Sequence, residues 1–363
     1  MERRYELDVP AYPLPETRVF AHATRMSDFD SPEIERILKP PSVLPAHPVQ
    51  IALRDGLSRT HIEHYPAPEA LAARAKYEIK RRLHDRAPVL DLGDRLAFEM
   101  RFYYMGNFAH LVHDVIAPVR LIEQVLAADP EIGDSPIHVI LPKNAPALAM
   151  RVLDAAGLPY VCTDGRVRAR HLTISQDLNI AHLPHLARQP YDPGAEPTPE
   201  RVYVSRRGER VVLNEEAVVA FLEKEGYVRV FMEDHPIERQ WALLAKAREV
   251  VGIHGAGLSS LGFSIQRAQG EGPRFRLVEL FSPGFSSTCF RLYAGVLGGS
   301  WVGVRGRITP EVVRDLDLLG HARAHDMASF EVDLDALGEA LAYSRSEADW
   351  PRSLPPLPVA RRS

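Results

Sequence analysis

The sequence predicts an α/β protein of two domains, each built on a largely parallel sheet. Three observations carry that prediction. The chain has 363 residues, enough for two cores of roughly 150 residues each on the usual length prior. Short apolar runs alternate with helix-period segments, most cleanly beyond residue 201, and this spacing calls for parallel strands joined by helical crossovers. Between the two halves, LARQPYDPGAEPTPE at 186–200 is the stretch richest in Pro and Gly, as an interdomain linker is.

Taken in order, residues 1–68 are dotted with proline, carry short apolar runs such as Val49 to Leu53, and are expected to be an irregular segment with a few strands. Helical spacing follows from Pro68 to His84, ended ahead of Pro88, and RLAFEMRFYY then alternates as a strand does. Behind the Gly106-Asn107 turn, Leu111, Val115, Val119 and Ile122 recur at helical spacing, so a polar cluster sits where that helix begins. IHVILP at 137–142 reads as a buried parallel strand, with a helix over 146–156 closed by Gly157 and short strands near 159–162 and 171–174.

Beyond the linker come a strand at 202–205, a helix from Asn214 to Glu225, a strand at 227–231 and a helix from Pro236 to Ala247. Asn214 is expected to cap its helix, Glu215 and Glu216 suit the positive end of the helix dipole, and Gly226 suits the left-handed exit. VVGI at 250–253 is a buried strand, a glycine loop and a helix start follow at His254, and RLVELF at 276–281 precedes a helix near 288–297. The expected domains are therefore 1–68, 69–190, 201–330 and a C-terminal helix and tail at 331–363.

Composition narrows the function classes. At 45% hydrophobic and 25% charged the chain is of ordinary globular character, and a net charge of −4 speaks against a nucleic-acid partner. Cys162 and Cys289 lack the paired spacing of a zinc site and are read as reduced, mostly buried thiols. Neither a signal-peptide core nor a membrane-length apolar run is found, so the expected location is cytoplasmic, with a peripheral position at the inner membrane face as the alternative.

Four groups of residues can carry chemistry. HGAGL, from His254 through Gly255, Ala256 and Gly257 to Leu258, follows a buried strand and opens a helix, which presents backbone N–H groups to an anion such as a diphosphate. A bare H-G-x-G is otherwise a tight turn beside a core histidine. VYVSRRGER places Ser205, Arg206, Arg207 and Arg210 at the same edge, where a guanidinium can clamp phosphate, although arginine runs are more often solvated loops. Glu279 lies near the end of an apolar strand, where a carboxylate can accept two bonds from ribose hydroxyls; by pattern alone an outward ion pair is the commoner role. Asn107, His110, His113 and Asp114 cluster at a helix start, with His110 and Asp114 four apart on one face. Imidazole and a desolvated carboxylate can each act as a base near neutral pH. Metal binding by His110 and His113 lacks a third ligand, and Asn107 can simply cap the helix.

With these residues in place the chain resembles glycosyltransferase family 61, the group that includes plant and animal xylosyl- and N-acetylglucosaminyl-transferases and many bacterial surface-polysaccharide enzymes. The resemblance spans roughly residues 100 to 340 and rests on GNFAHLVHD at 106–114, RVYVSRRGERVVLNEE from 201, Gly226-Tyr227, Gln240, AREVVGIHGAGLSSLGF from 247 and LVELFSP from 277. Ser260 stands where family members commonly have asparagine. The resemblance implies a GT-B fold, two Rossmann-like domains facing across a cleft, with acceptor bound by the 69–190 domain and nucleotide-sugar by the 201–330 domain. It further implies inverting transfer from a UDP-sugar, with a glycan or lipid-linked glycan as the expected acceptor; no aspartate-rich metal motif precedes the phosphate site, and arginine with helix-end amides can neutralise a diphosphate, so no metal and no separate cofactor is expected. Ser205, Arg206, His254, Gly255, Ala256, Gly257 and Glu279 fall on the donor side, Asn107 and His113 on the acceptor side, and His110 and Asp114 are the candidate bases, Asp114 being favoured by the motif.

Rival readings differ in class. The HGAG segment is similar to the oxyanion loop of esterases, but no G-x-S-x-G nucleophile elbow occurs. A metal-dependent phosphohydrolase would use the His113-Asp114 pair, and a catalytically silent sugar-nucleotide or polysaccharide-binding protein would bind donor without turning it over.

Overall fold

A computed structural model describes residues 2–22, 34–102, 105–175, 179–187, 196–265, 273–284, 287, 289–308, 328–346 and 361–362. In chain order the strands are β1 Glu2–Val9, β2 Tyr12–Leu14, β3 Thr17–His22, β4 Ile34–Lys39, β5 Ser42–Leu44, β6 His47–Leu57, β7 Leu90–Glu99 and β8 Ile137–Leu141, then β9 Tyr160–Cys162, β10 Val167–Ile174, β11 Arg201–Ser205, β12 Val228–Phe231, β13 Glu249–Ile253, β14 Arg276–Phe281, β15 Ser300–Arg305 and β16 Arg361–Arg362. The α-helices are α1 Leu71–Asp85, α2 Phe108–His110, α3 Ala117–Leu126, α4 Ala147–Ala155, α5 Leu183–Ala187, α6 Glu215–Lys224, α7 Ile237–Lys246, α8 Cys289–Leu297 and α9 Leu334–Ser346.

The chain divides into two units, one of Met1–Pro10, Ala46–Leu186 and Pro356–Ser363, the other of Ala11–Pro45 and Ala187–Pro355. Residues 188–195, within the expected linker, lie outside the described residues, as do Tyr103 and Tyr104 at the end of the expected RLAFEMRFYY strand.

The first unit holds a sheet in the order β16-β1-β6-β10-β7-β8-β9. Strands β10, β7, β8 and β9 are parallel, whereas β6 runs antiparallel to β10, and β1 and β16 continue antiparallel. The second unit holds β12-β11-β13-β14-β15-β3-β4, parallel from β12 to β3 with β4 antiparallel at the edge. Its central strands, EVVGI in β13 and RLVELF in β14, are buried along nearly their whole length, as strands covered on both faces must be.

The N-terminal segment differs from the expectation of an irregular 1–68. It supplies β1 and β6 to the first sheet and β3 and β4 to the second. Tyr5, Leu7 and Val9 in β1 and Val49, Ile51 and Leu53 in β6 are the buried halves of two period-2 patterns. Prolines hid this, because Pro10, Pro15, Pro40 and Pro45 fall in the connections, where a missing N–H costs no ladder bond. Asn214 also departs from its expected role: its side chain makes no cap bond to α6, but exchanges two with the Val332 backbone, at 2.8 and 2.9 Å. Of the two cysteines, Cys162 is exposed rather than buried, and Cys289 is half-buried. No helix among the described residues is long and apolar enough to cross a membrane.

Candidate active site

Within the second unit, strands numbered from β11 follow the order 2-1-3-4-5, so the topological switch point lies between β11 and β13. Doubly wound sheets bind ligands in the crevice outside the carboxyl ends of the strands at that point. Here those ends are Ser205-Arg206 and His254-Gly255.

The Arg206 guanidinium donates to the His254 carbonyl at 3.0 Å, and Arg210 reaches the same oxygen at 3.5 Å. Burial and the neighbouring Arg210 charge push the Arg206 guanidinium below its ordinary value, although arginine stays cationic at any working pH. Two guanidinium groups thus meet at one carbonyl, and guanidinium groups are well suited to phosphate oxygens. Arg210 itself sits at φ 58°, a left-handed conformation uncommon for a side chain of this size. At Gly255 a Cβ would stand 2.9 Å from Arg206 Nη1, so a larger residue there would push that guanidinium aside. At Gly257 a Cβ would stand 3.0 Å from Met232 Cγ. Residues Ala256–Phe263 form a 3₁₀-helix, and a helix start leaves its first N–H groups without intrahelical partners.

Glu279 departs from the ribose contact expected of it. The residue has no exposed surface, and both carboxylate oxygens are engaged, Oε1 by His254 Nδ1 and Oε2 by Trp301 Nε1 at 2.5 Å. A ribose cannot reach it. The carboxylate accepts, so His254 carries its proton on Nδ1 and turns Nε2 away from Glu279. Phe290 stands edge-on to this imidazole at 5.3 Å. Burial, with Glu279 adding to it, pushes the Cys289 thiol up to about 11, which makes it a poor nucleophile. The Ser205 hydroxyl is likewise committed internally, to Glu215 in the first turn of α6. Arg207 turns outward, bidentate to Asp234 at 2.6 and 2.8 Å and over the Phe231 ring.

Within the first unit, Asn107 accepts from the Ala109 N–H at 2.8 Å and so caps the helix it precedes. The next turn, Leu111–Ile116, is a π-helix between α2 and α3. Such turns are rare and concentrate at functional sites. This one brings three side chains together. His110 Nδ1 lies 2.7 Å from Asp114 Oδ2, His113 Nε2 lies 3.3 Å from Asp114 Oδ1, and the two imidazole centroids are 5.1 Å apart. Asp114 is buried, while the His110 side chain is 42% exposed. Burial, helped by His110, pushes the His113 imidazole below its ordinary value against the pull of Asp114.

The ligand atoms of His110, His113 and Asp114 lie within 4.8 Å of one another, which supplies the third ligand that the two histidines lacked in sequence. Their closest approach, 2.7 Å, is a hydrogen-bond length. Ligands sharing a tetrahedral zinc at 2.0–2.1 Å stand about 3.3 Å apart, so the pair as built is a proton-sharing pair.

Trp301 and Glu215 also hold the site together, and in the sequence Glu215 reads only as a dipole partner of its helix. Nothing local marks Trp301: it follows Glu279 by a whole crossover and meets it only because β14 and β15 are neighbours.

Residues 108–269, just under half the chain, match the family model described as Glycosyltransferase 61. The match supports a family 61 glycosyltransferase. It contains His110, His113, Asp114, Ser205, Arg206 and His254–Gly257, whereas Asn107 and Glu279 fall outside it. No match is found among curated proteins.

Proposed function

We propose that the chain is an inverting, metal-independent glycosyltransferase of GT-B type that moves a sugar from a UDP-sugar to a glycan or lipid-linked glycan acceptor. One observation carries the donor side: Arg206 and Arg210 converge on the His254 carbonyl at the switch point of the second unit's sheet. A diphosphate there meets guanidinium charge and the N–H groups of the 256–263 helix start.

In an inverting step a base takes the acceptor hydroxyl proton, the oxygen bonds to the anomeric carbon, and the bond to the diphosphate breaks with its electron pair leaving on UDP. The motif favoured Asp114 as base. The geometry favours the alternative, because Asp114 is buried with both oxygens facing imidazoles, whereas His110 is half-exposed with Nδ1 held by that carboxylate. His110 Nε2 then takes the proton, and Asp114 orients the ring and stabilises the imidazolium.

Titration with UDP tests the donor reading. UDP is expected to stabilise the protein equally with and without a chelator, and loss of that stabilisation in the chelator refutes metal independence. The three-residue cluster favours one second reading, a metal-dependent phosphohydrolase. Stoichiometric metal in the purified protein, removed together with His113 in His113→Ala, would support it.

A further inference from the structure

The first unit contains a cavity of about 530 Å³ that neither proposed site uses. It lies on the solvated face of the sheet, over Ala52 and Arg54 of β6 and His171 and Thr173 of β10. The connection carrying His64 and the end of β7, with Glu99 and Phe102, close it at one side. Its volume falls in the range, roughly 300–1,000 Å³, of sites built for small ligands.

Three features fix the chemistry of the occupant. The first is charge balance. Glu2 is paired with Arg54 at 2.7 Å, Asp55 faces Arg170 at 3.6 Å, and Glu99 is held by Arg101 at 2.7 Å. Among the lining side chains Arg54 and Arg59 stand against the carboxylates of Glu2, Asp55 and Glu99, so the wall is rich in donors and acceptors without an excess of positive charge, and it suits a neutral, hydroxyl-rich molecule better than a diphosphate. The second is an aromatic wall. The His64 and Phe102 rings stand 5.2 Å apart with 30° between their planes, and Phe102 is 42% exposed. A ring face of this kind packs against the C–H face of a sugar.

The third is rigidity. Arg101, with its side chain wholly buried, donates to the carbonyl oxygens of Arg59, Thr163 and Gly165 and to Ser58 Oγ, besides Glu99. A buried charge is costly unless every donor is used, and these bonds tie the end of β7 to the 58–59 turn before any ligand arrives. The Arg101 charge, with His64, holds the Glu99 carboxyl down to about 2 and therefore ionised at the cavity edge, although burial opposes this.

We infer that this cavity is an acceptor subsite for a short stretch of neutral oligosaccharide, an inference that rests on the glycosyltransferase reading for its role but not for its chemistry. The segment carrying Phe102 leads on into the helical turn with His110 and Asp114, so the subsite and the proposed base belong to the same unit.

The test uses the full chain and calorimetric titration with xylotriose, cellotriose and chitotriose, with trigalacturonate and inorganic phosphate as anionic probes and UDP as the donor probe. At least one neutral trisaccharide is expected to bind saturably. Its affinity is expected to fall tenfold or more in Phe102→Ala and in Thr173→Trp, which fills the cavity, while UDP binding stays unchanged in both. Phe102 is exposed, so its truncation leaves the fold intact even if the bulky tryptophan does not. The inference is overturned if no neutral trisaccharide binds the parent protein, if binding is undiminished in Phe102→Ala, or if the anionic probes bind the cavity more tightly. Trisaccharide binding that is lost in the variants, in a protein that ignores UDP, would uphold the cavity and sink the donor reading instead.

Discussion

Replacing Glu279 by glutamine tests the internal architecture of the donor loop. The carboxylate takes one bond from His254 Nδ1 and one from Trp301 Nε1, and it has no exposed surface. Glutamine keeps the shape but offers one oxygen and one NH₂. Trp301 can only donate, so the oxygen must turn to Trp301 and the NH₂ to His254. His254 Nδ1 must then accept, so the ring carries its proton on Nε2 and the tautomer is reversed. Two consequences can be sized. Loss of a charge-assisted bond in a buried site costs about 1.5–3 kcal/mol of stability. The reversed tautomer also turns Nε2, the edge facing away from Glu279, from an acceptor into a donor, so UDP affinity should rise, about tenfold for each 1.4 kcal/mol gained. The assays are denaturant unfolding and calorimetric titration of UDP at a single pH. A variant that unfolds less readily than the parent, or that binds UDP with the parent's affinity, refutes the reasoning.

Other outcomes follow from the same geometry. His110→Ala should lower turnover a hundredfold or more with UDP affinity intact, and Asp114→Asn should lower it comparably by releasing the ring; turnover that collapses only in Asp114→Asn returns the base to the carboxylate. Gly255→Ala places a Cβ against the mobile end of Arg206, so stability should change by less than about 1 kcal/mol while UDP binding weakens; unchanged binding would show that Arg206 does not need that position. Acid should destabilise the first unit in two windows. Burial depresses the His182 imidazole from 6.5 to about 4, so its contribution is present above pH 6.5 and lost as pH falls towards 4. Glu99, depressed from 4.5 to about 2, contributes above pH 4.5 and loses that contribution as pH falls towards 2. Each is worth on the order of 3 kcal/mol, and His182→Leu should remove the upper window alone in pH-dependent unfolding.

Elements whose signals are local can be read from the amino-acid order alone. The β14 strand matches its expected range, β8, β11 and β13 fall within a residue of theirs, and the HGAGL loop lies where a buried strand gives way to a helix. The i, i+4 relation of His110 and Asp114 was legible because a helical turn alone brings them together. Tertiary structure decided whatever depends on partners distant in the chain. Period-2 runs in the first 68 residues do not say which sheet they join, and only packing sends β1 and β6 to one unit and β3 and β4 to the other. A capping residue such as Asn214 can bond any exposed backbone, and the Val332 segment competes successfully for it. Glu279 shows the limit most clearly. A carboxylate near a strand end reads the same in sequence whether it faces a ligand or the interior. Parallel pairing sets Gly252 beside Glu279 and Gly303 on its other side, so His254 and Trp301, each two residues away, lie close enough to bond the carboxylate and withdraw it from solvent.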